Sequence, residues 1–105
     1  MEKVSIIVPV YNAAEYVGKC LESVALQDYK NIEIIVVEDG SDDESPDVCK
    51  EYARRYDNIK VYHDKCGTAG AARNYGMSKA QGEYFIFVDS DCMFPPQWLA
   101  EIEKA

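Results

Sequence analysis

Four short apolar runs, Val4 to Val10, Ile32 to Val37, Ile59 to Tyr62 and Tyr84 to Val88, constrain this chain more than any other feature. They are rich in Val, Ile, Phe and Tyr, and most are continuous rather than alternating, which is the pattern of strands covered on both faces. Between them the period changes. Val17, Cys20, Leu21 and Val24 recur at helical spacing, with Asn12 and Glu15 placed ahead of them as a capping box. A second helix is predicted with Ser45 as N-cap and Pro46 at its first position, carrying Cys49, Tyr52, Ala53 and Tyr56 on one face. A third, built of small residues, is expected from about Thr68 to Lys79. A fourth starts at the Pro95-Pro96 pair and carries Trp98, Leu99 and Ile102.

Strand and helix in strict alternation predict an α/β fold with right-handed crossovers, a mostly parallel sheet and helices on both faces. The expected strand order is 3-2-1-4, which creates a topological switch point between the first and fourth strands. Ligands bind at such points, beyond the carboxyl ends of the strands. At 105 residues and 48% hydrophobic, the chain is sized for one domain with one core.

Charge and cysteine usage narrow the function. The net charge is -8, from 19 acidic and 11 basic residues, and no block of Lys or Arg interrupts the sequence. Nucleic acid is therefore not an expected partner, whereas a small anion held through a divalent metal and backbone amides is compatible with an acidic protein. Cys20, Cys49, Cys66 and Cys92 form no CxxC unit, and His63 is the only histidine, so no zinc site is expected. All four cysteines read as reduced thiols of a cytosolic protein, two of them on apolar helix faces. No segment approaches the roughly 18 to 20 consecutive apolar residues that span a bilayer, and no basic-then-apolar leader opens the chain, so a soluble protein is expected.

Candidate chemistry lies in the turns at the strand ends. Strand one leads into Pro9-Val10-Tyr11-Asn12, strand two into Glu38-Asp39-Gly40-Ser41-Asp42-Asp43, and strand four into Asp89-Ser90-Asp91. Two acids at the mouth of an apolar strand repel each other, and a bound cation relieves that cost; hard oxygen ligands favour Mg²⁺ or Mn²⁺. The competing reading is an acidic turn that caps the next helix. Asp39 divides the same way, between a ligand contact and an Asp-Gly-Ser turn. Glu38 is placed to end its strand, pointing to the other face. Asn12 is explained by capping, whereas Tyr11 in a strand-to-helix turn suits a stacking platform for a base. In Cys66-Gly67-Thr68-Ala69-Gly70-Ala71-Ala72-Arg73-Asn74, small side chains permit close approach either to the sheet or to a phosphate group. Arg73 within that stretch could brace Asp39 or Asp89, or reach ligand phosphates.

These stretches resemble the family 2 glycosyltransferases of the GT-A fold. The matching segments are Val4 to Asn12, Ile34 to Ser41, Ala71-Ala72-Arg73-Asn74, and Gly82-Glu83-Tyr84 through Asp91, in the family's order and covering essentially the whole chain. The resemblance implies a nucleotide-sugar-binding half, residues 1–105, of a metal-dependent, inverting enzyme. That enzyme would move a sugar from a nucleotide-diphosphate donor, with uridine the family expectation, to a saccharide or lipid-linked acceptor hydroxyl. It implies nucleotide-binding roles for Pro9, Tyr11, Asp39, Arg73, Asp89 and Ser90, and Mn²⁺ or Mg²⁺ at Asp91 with Asp89. The catalytic base and acceptor-binding part are expected beyond Ala105, so this chain alone is expected to be inactive. Its parent is placed in the cytoplasm or at the cytoplasmic membrane face. Two departures stand out: Glu38 precedes Asp39 where the family often has a second aspartate, and Cys92 follows Asp91 where many relatives carry a further acid. The alternative is a non-catalytic nucleotide-binding or assembly module that keeps the fold. Either way, the outer edge of strand four is expected to drive self-association.

Overall fold

The computed structural model describes residues 2–104. Strand β1 (Val4–Val10) lies inside a four-stranded parallel sheet of order β3-β2-β1-β4, with β2 spanning Ile32–Glu38, β3 Ile59–His63 and β4 Tyr84–Phe87. The order is the one the alternation predicts, and the strand ends move by one residue at most. β2 runs one residue further to Glu38, β3 one further to His63, and β4 stops one short at Phe87.

Helices α1 (Val17–Ala25), α2 (Ser45–Arg55) and α4 (Trp98–Lys104) cover one face, and α3 (Ala69–Lys79) covers the other. Alternate residues of β1 and β2 divide accordingly. Ile6, Val8, Ile34 and Val36 pack with Val17, Leu21, Val24 and Cys49, whereas Ile7, Ile35 and Val37 pack with Ala72. These strand side chains are fully buried, each contributing about 1.5–3 kcal/mol of hydrophobic stabilisation. α3 lies close to the sheet because Gly76 lets it: a Cβ there would stand 2.6 Å from Ile7 Cγ2 and 3.3 Å from Val37 Cγ2. β4 is covered far less, with Tyr84, Phe85 and Phe87 about half exposed.

Three helix starts differ from the sequence reading, each because a tertiary partner replaces the local one. Asn12 does not cap α1, which begins at Val17 with Tyr16 at the N-cap. Asn12 instead adopts a left-handed φ of 49°, and its Oδ1 accepts from the Asp42 amide at 2.8 Å. Ser45 is the first residue of α2 rather than its cap, and its hydroxyl accepts from the Ala13 amide at 2.8 Å. The Pro95-Pro96 pair precedes α4, which starts at Trp98. The Pro95 carbonyl accepts from Gln27 Nε2 at 2.7 Å and the Pro96 carbonyl from the Asp28 amide at 2.8 Å, so both prolines are tied to the end of α1. Thr68 does cap α3, accepting from the Ala71 amide at 3.0 Å. Among the described residues, no helix is long and apolar enough to cross a membrane.

Candidate functional site

Parallel strands deliver their carboxyl ends to one rim, and the strand order reverses there between β1 and β4. A cleft of about 550 Å³ opens at that rim. All seven residues singled out in the sequence, Pro9, Tyr11, Asp39, Arg73, Asp89, Ser90 and Asp91, line it. The turns after β1, β2 and β4 and the amino end of α3 form its walls.

On the β2 side the wall is rigid. Asp39 is 7% exposed and continues the pairing with β1, donating its amide to the Val10 carbonyl at 2.9 Å. Its Oδ1 accepts from the backbone amides of Cys66 and Gly67, the latter at 3.1 Å. Gly67 reaches that position with φ 93°, a region that penalises any side chain. A carboxyl oxygen held by two amides fixes the group's orientation, and Oδ2 is the oxygen left to accept from a ligand. Glu38, one residue earlier, goes to the opposite face of the sheet. It is 2% exposed, with Oε2 accepting from the Ser41 amide at 2.8 Å and Oε1 3.6 Å from His63 Nδ1.

On the β4 side the wall is open. Asp89, Asp91 and Cys92 each present a ligand atom within 4.8 Å of the others, and both acids are exposed. The turn is closed by the Cys92 amide donating to the Asp89 carbonyl at 3.1 Å. Arg73 from α3 approaches Asp89 at 3.8 Å, choosing it over Asp39. Partial burial and the facing carboxylates of Asp91 and Asp89 push the Cys92 thiol up, so sulfur stays protonated beside two hard oxygen donors. Two exposed carboxylates that leave room for retained water fit Mg²⁺ or Mn²⁺. Beneath the turn, Cys20 donates from Sγ to the Asp89 carbonyl at 3.5 Å. Burial pushes its thiol to about 12, as it does that of Cys49, so both pack as neutral thiols.

The small-residue stretch divides between two surroundings. Gly67, Thr68 and Ala69 face the cleft, whereas Ala72 is also buried against Ile7, Ile35 and Val37. Tyr16 lines the cleft as well and is 54% exposed. Sequence reasoning missed it, although a second aromatic five residues after Tyr11 in a strand-to-helix connection was a usable signal.

Comparison with known proteins places the chain in a family. The profile of the family described as Glycosyl transferase family 2 matches residues 5–105. Glycosyltransferase GlyA of Streptococcus pneumoniae is 47% identical over 103 residues, which are 98% of this chain and 15% of GlyA. Among solved structures, S. aureus TarS 1-349 in complex with UDP superposes with a TM-score of 0.87 at 34% identity, covering 97% of this chain and 31% of that one. The mannosyltransferase PcManGT from Pyrobaculum calidifontis, in complex with GDP-Man and Mn²⁺, superposes with a TM-score of 0.84 at 26% identity, covering 90% and 29%. The chain thus spans less than a third of each of these relatives. On the match of nearly its whole length, this chain belongs to glycosyl transferase family 2, with the GT-A arrangement of sheet and cleft.

Proposed function

We propose that the chain forms the donor-binding half of an inverting, metal-dependent glycosyltransferase whose donor is a nucleotide-diphosphate sugar, UDP-linked in the first instance. The observation that carries this reading is the convergence of Tyr11, Asp39, Arg73, Asp89 and Asp91 on one cleft from four separate elements. Support for the donor class comes from TarS, solved with UDP and with UDP-GlcNAc, and from PcManGT, solved with GDP-Man and Mn²⁺.

Each residue has a physical part in the proposal. Tyr11 and Pro9 offer flat apolar surface for the base, and Asp39 Oδ2 accepts from a base N–H. Ser90 and Asp89 face the ribose. Asp89 and Asp91 hold a divalent cation, which when bound supplies positive charge to the diphosphate leaving group. Arg73 adds a guanidinium to the same end, beside the amino end of α3, whose dipole favours an anion there. These charges stabilise the departing diphosphate while an acceptor hydroxyl attacks the anomeric carbon from the opposite side, which inverts it. The carboxylate that takes the hydroxyl proton, and the surface that seats a saccharide or lipid-linked acceptor, are assigned to the greater length found in the relatives. The half-exposed Tyr84, Phe85 and Phe87 on β4 are assigned to self-association of the chain in isolation.

Calorimetric titration with UDP tests the reading. Binding is expected with Mn²⁺ present, weakening on the order of tenfold or more when the metal is chelated, since charge-assisted contacts are lost. Asp91→Ala removes that metal-dependent gain. Affinity for UDP that is indifferent to Mn²⁺ and to Asp91→Ala overturns the metal role, and a chain that does not bind UDP overturns the whole assignment.

A further inference from the structure

We infer that Glu38 is a positioning residue of the cleft: through Ser41 and Asn12 it sets the loop that presents Tyr11, and so the affinity for the nucleoside end of the donor. The inference rests on the proposed reading of the cleft and adds a residue to it.

Glu38 occupies an unfavourable place for a carboxyl. It pairs in register with Val10 on one side and His63 on the other, inside the sheet at its carboxyl rim, and is 2% exposed. Strand alternation sends its side chain to the face covered by α1 and α2, where the buried side chains include Val10, Val36 and Cys49, with Ser45 at the start of α2. Burying a carboxyl there is costly unless it is hydrogen-bonded, and an aliphatic side chain would fill the same position with no such penalty. Packing therefore does not account for Glu38, but its bonds do.

Oε2 accepts from the Ser41 amide at 2.8 Å, which closes the Asp39-Gly40-Ser41 turn from below. Ser41 Oγ then accepts from the Asn12 amide at 2.9 Å, and Asn12 Oδ1 accepts from the Asp42 amide at 2.8 Å. Two loops thus hold each other by reciprocal bonds, with Glu38 fixing one of them to the sheet. The arrangement keeps Asn12 at φ 49°, a conformation that L residues rarely adopt without such support. Tyr11 is the residue immediately before it. Tyr11 is 59% exposed, so burial does not hold it, and the course of the backbone does. Asp39 is the residue immediately after Glu38, so one carboxyl steadies both contacts proposed for the base. Of the remaining bonds here, those from Ala13 to Ser45 and from Ala14 to Asp43 lie further along, and the Asp39 amide holds the Val10 carbonyl before Tyr11, so the Asn12 contact is the one that fixes the chain just after Tyr11.

The test is titration of the chain with UDP in excess Mn²⁺, and separately with Mn²⁺ alone, for the wild type, Glu38→Ala, Glu38→Gln and Asn12→Gly. Glu38→Ala is expected to weaken UDP about five- to tenfold, the loss of a hydrogen bond or two, while affinity for Mn²⁺ alone stays within about twofold. Glu38→Gln keeps an oxygen for the Ser41 amide and is expected to restore UDP affinity to within about twofold of wild type. Asn12→Gly keeps access to the left-handed backbone but removes Oδ1, and is expected to weaken UDP by an intermediate factor. Amide exchange at Ser41, followed by NMR without ligand, is expected to accelerate about tenfold in Glu38→Ala and to change little in Glu38→Gln. A folded Glu38→Ala that binds UDP like the wild type overturns the inference, as does one that loses UDP and Mn²⁺ in equal proportion. Should Glu38→Ala not fold, Asn12→Gly with unchanged UDP affinity overturns it. A wild-type chain that does not bind UDP removes the reading of the cleft and this inference with it, whereas wild-type binding unaffected by these variants removes this inference alone.

Discussion

The two walls of the cleft are built differently. On the β2 side every strand residue is buried, Asp39 is gripped by two backbone amides, and the loops after β1 and β2 are cross-bonded. On the β4 side the strand is largely exposed, and Asp89 and Asp91 stand in solvent, met only by long approaches from Arg73 and from Cys92 Sγ among the described residues. Under the proposed function, the difference matches what each wall is assigned to hold. A pocket for a flat, neutral base needs surfaces fixed in advance, because weak contacts cannot also meet the cost of ordering them. A divalent cation is strong enough to order its own ligands.

The largest effects separate the walls by stability. Ile6→Ala, at a fully buried position of β1, is expected to cost about 2–5 kcal/mol, and Phe87→Ala, in β4 and 47% exposed, less than about 1 kcal/mol. Urea midpoints measure both, and comparable losses would show that the β4 wall is as tightly integrated as the other. The acids rank in the same order. Asp39→Ala strands the Cys66 and Gly67 amides and is expected to lower stability by about 1–3 kcal/mol, whereas Asp89→Ala should stay within about 0.5 kcal/mol, since it removes an exposed charge beside another acid.

A smaller effect tests the joint between the walls. Glu33 on β2, buried at the far end of the sheet, accepts from the Ser5 hydroxyl at 2.6 Å and from the Gln81 amide, so it ties the α3–β4 connection to the rigid strands. Lys60 Nζ lies 3.6 Å from Oε1. Burial alone would raise this carboxyl, but the bonds from Ser5 and Gln81, with Lys3 and Lys60 nearby, outweigh it and hold it below its ordinary value of 4.5. The folded value is thus the lower one. Its stabilisation is complete above pH 4.5 and disappears as pH falls through the folded value. The stability gap between the wild type and Glu33→Gln should narrow below pH 4.5, measured by thermal unfolding across the acid range. A gap that is constant with pH, or widens in acid, would show that the carboxylate form does not hold this joint.

How much of this was legible in the sequence depends on how local the cause was. The sheet and its order were legible because Val4 to Val10 and Ile32 to Val37 are apolar almost without a break, and burial on both faces leaves that mark in the residues themselves. Placement of Asp39, Asp89 and Asp91 on one rim came from the parallel topology. The caps were not legible. Asn12 and Ser45 carry the side chains of N-caps, and each accepts its hydrogen bond from a segment about thirty residues away. Periodicity does not encode such partners. The amides of Cys66 and Gly67 escaped for a related reason, since backbone donors have no residue type, and only the fold brings them to Asp39. Glu38 was legible as a residue facing away from Asp39 at the end of the run that stops at Val37, but its task depends on Ser41, whose turn has to be built before the bond can be seen.

The smallest stability effect is the most pointed test of the contrast. Arg73 and Asp89 are 3.8 Å apart with side chains 39% and 72% exposed, so solvent screens the pair and the two charges gain little by meeting. Arg73→Gln is therefore expected to change unfolding stability by less than about 0.5 kcal/mol, with no measurable dependence on salt. A guanidinium retained where it contributes so little to the fold is free to meet an anion in the cleft, and the same variant should weaken UDP in the presence of Mn²⁺ several-fold, as loss of a charge-assisted bond does. If Arg73→Gln instead lowers stability by more than about 1 kcal/mol, a sum that surface pairs rarely reach, the β4 wall is structurally braced and the division between a preformed and a ligand-ordered half fails.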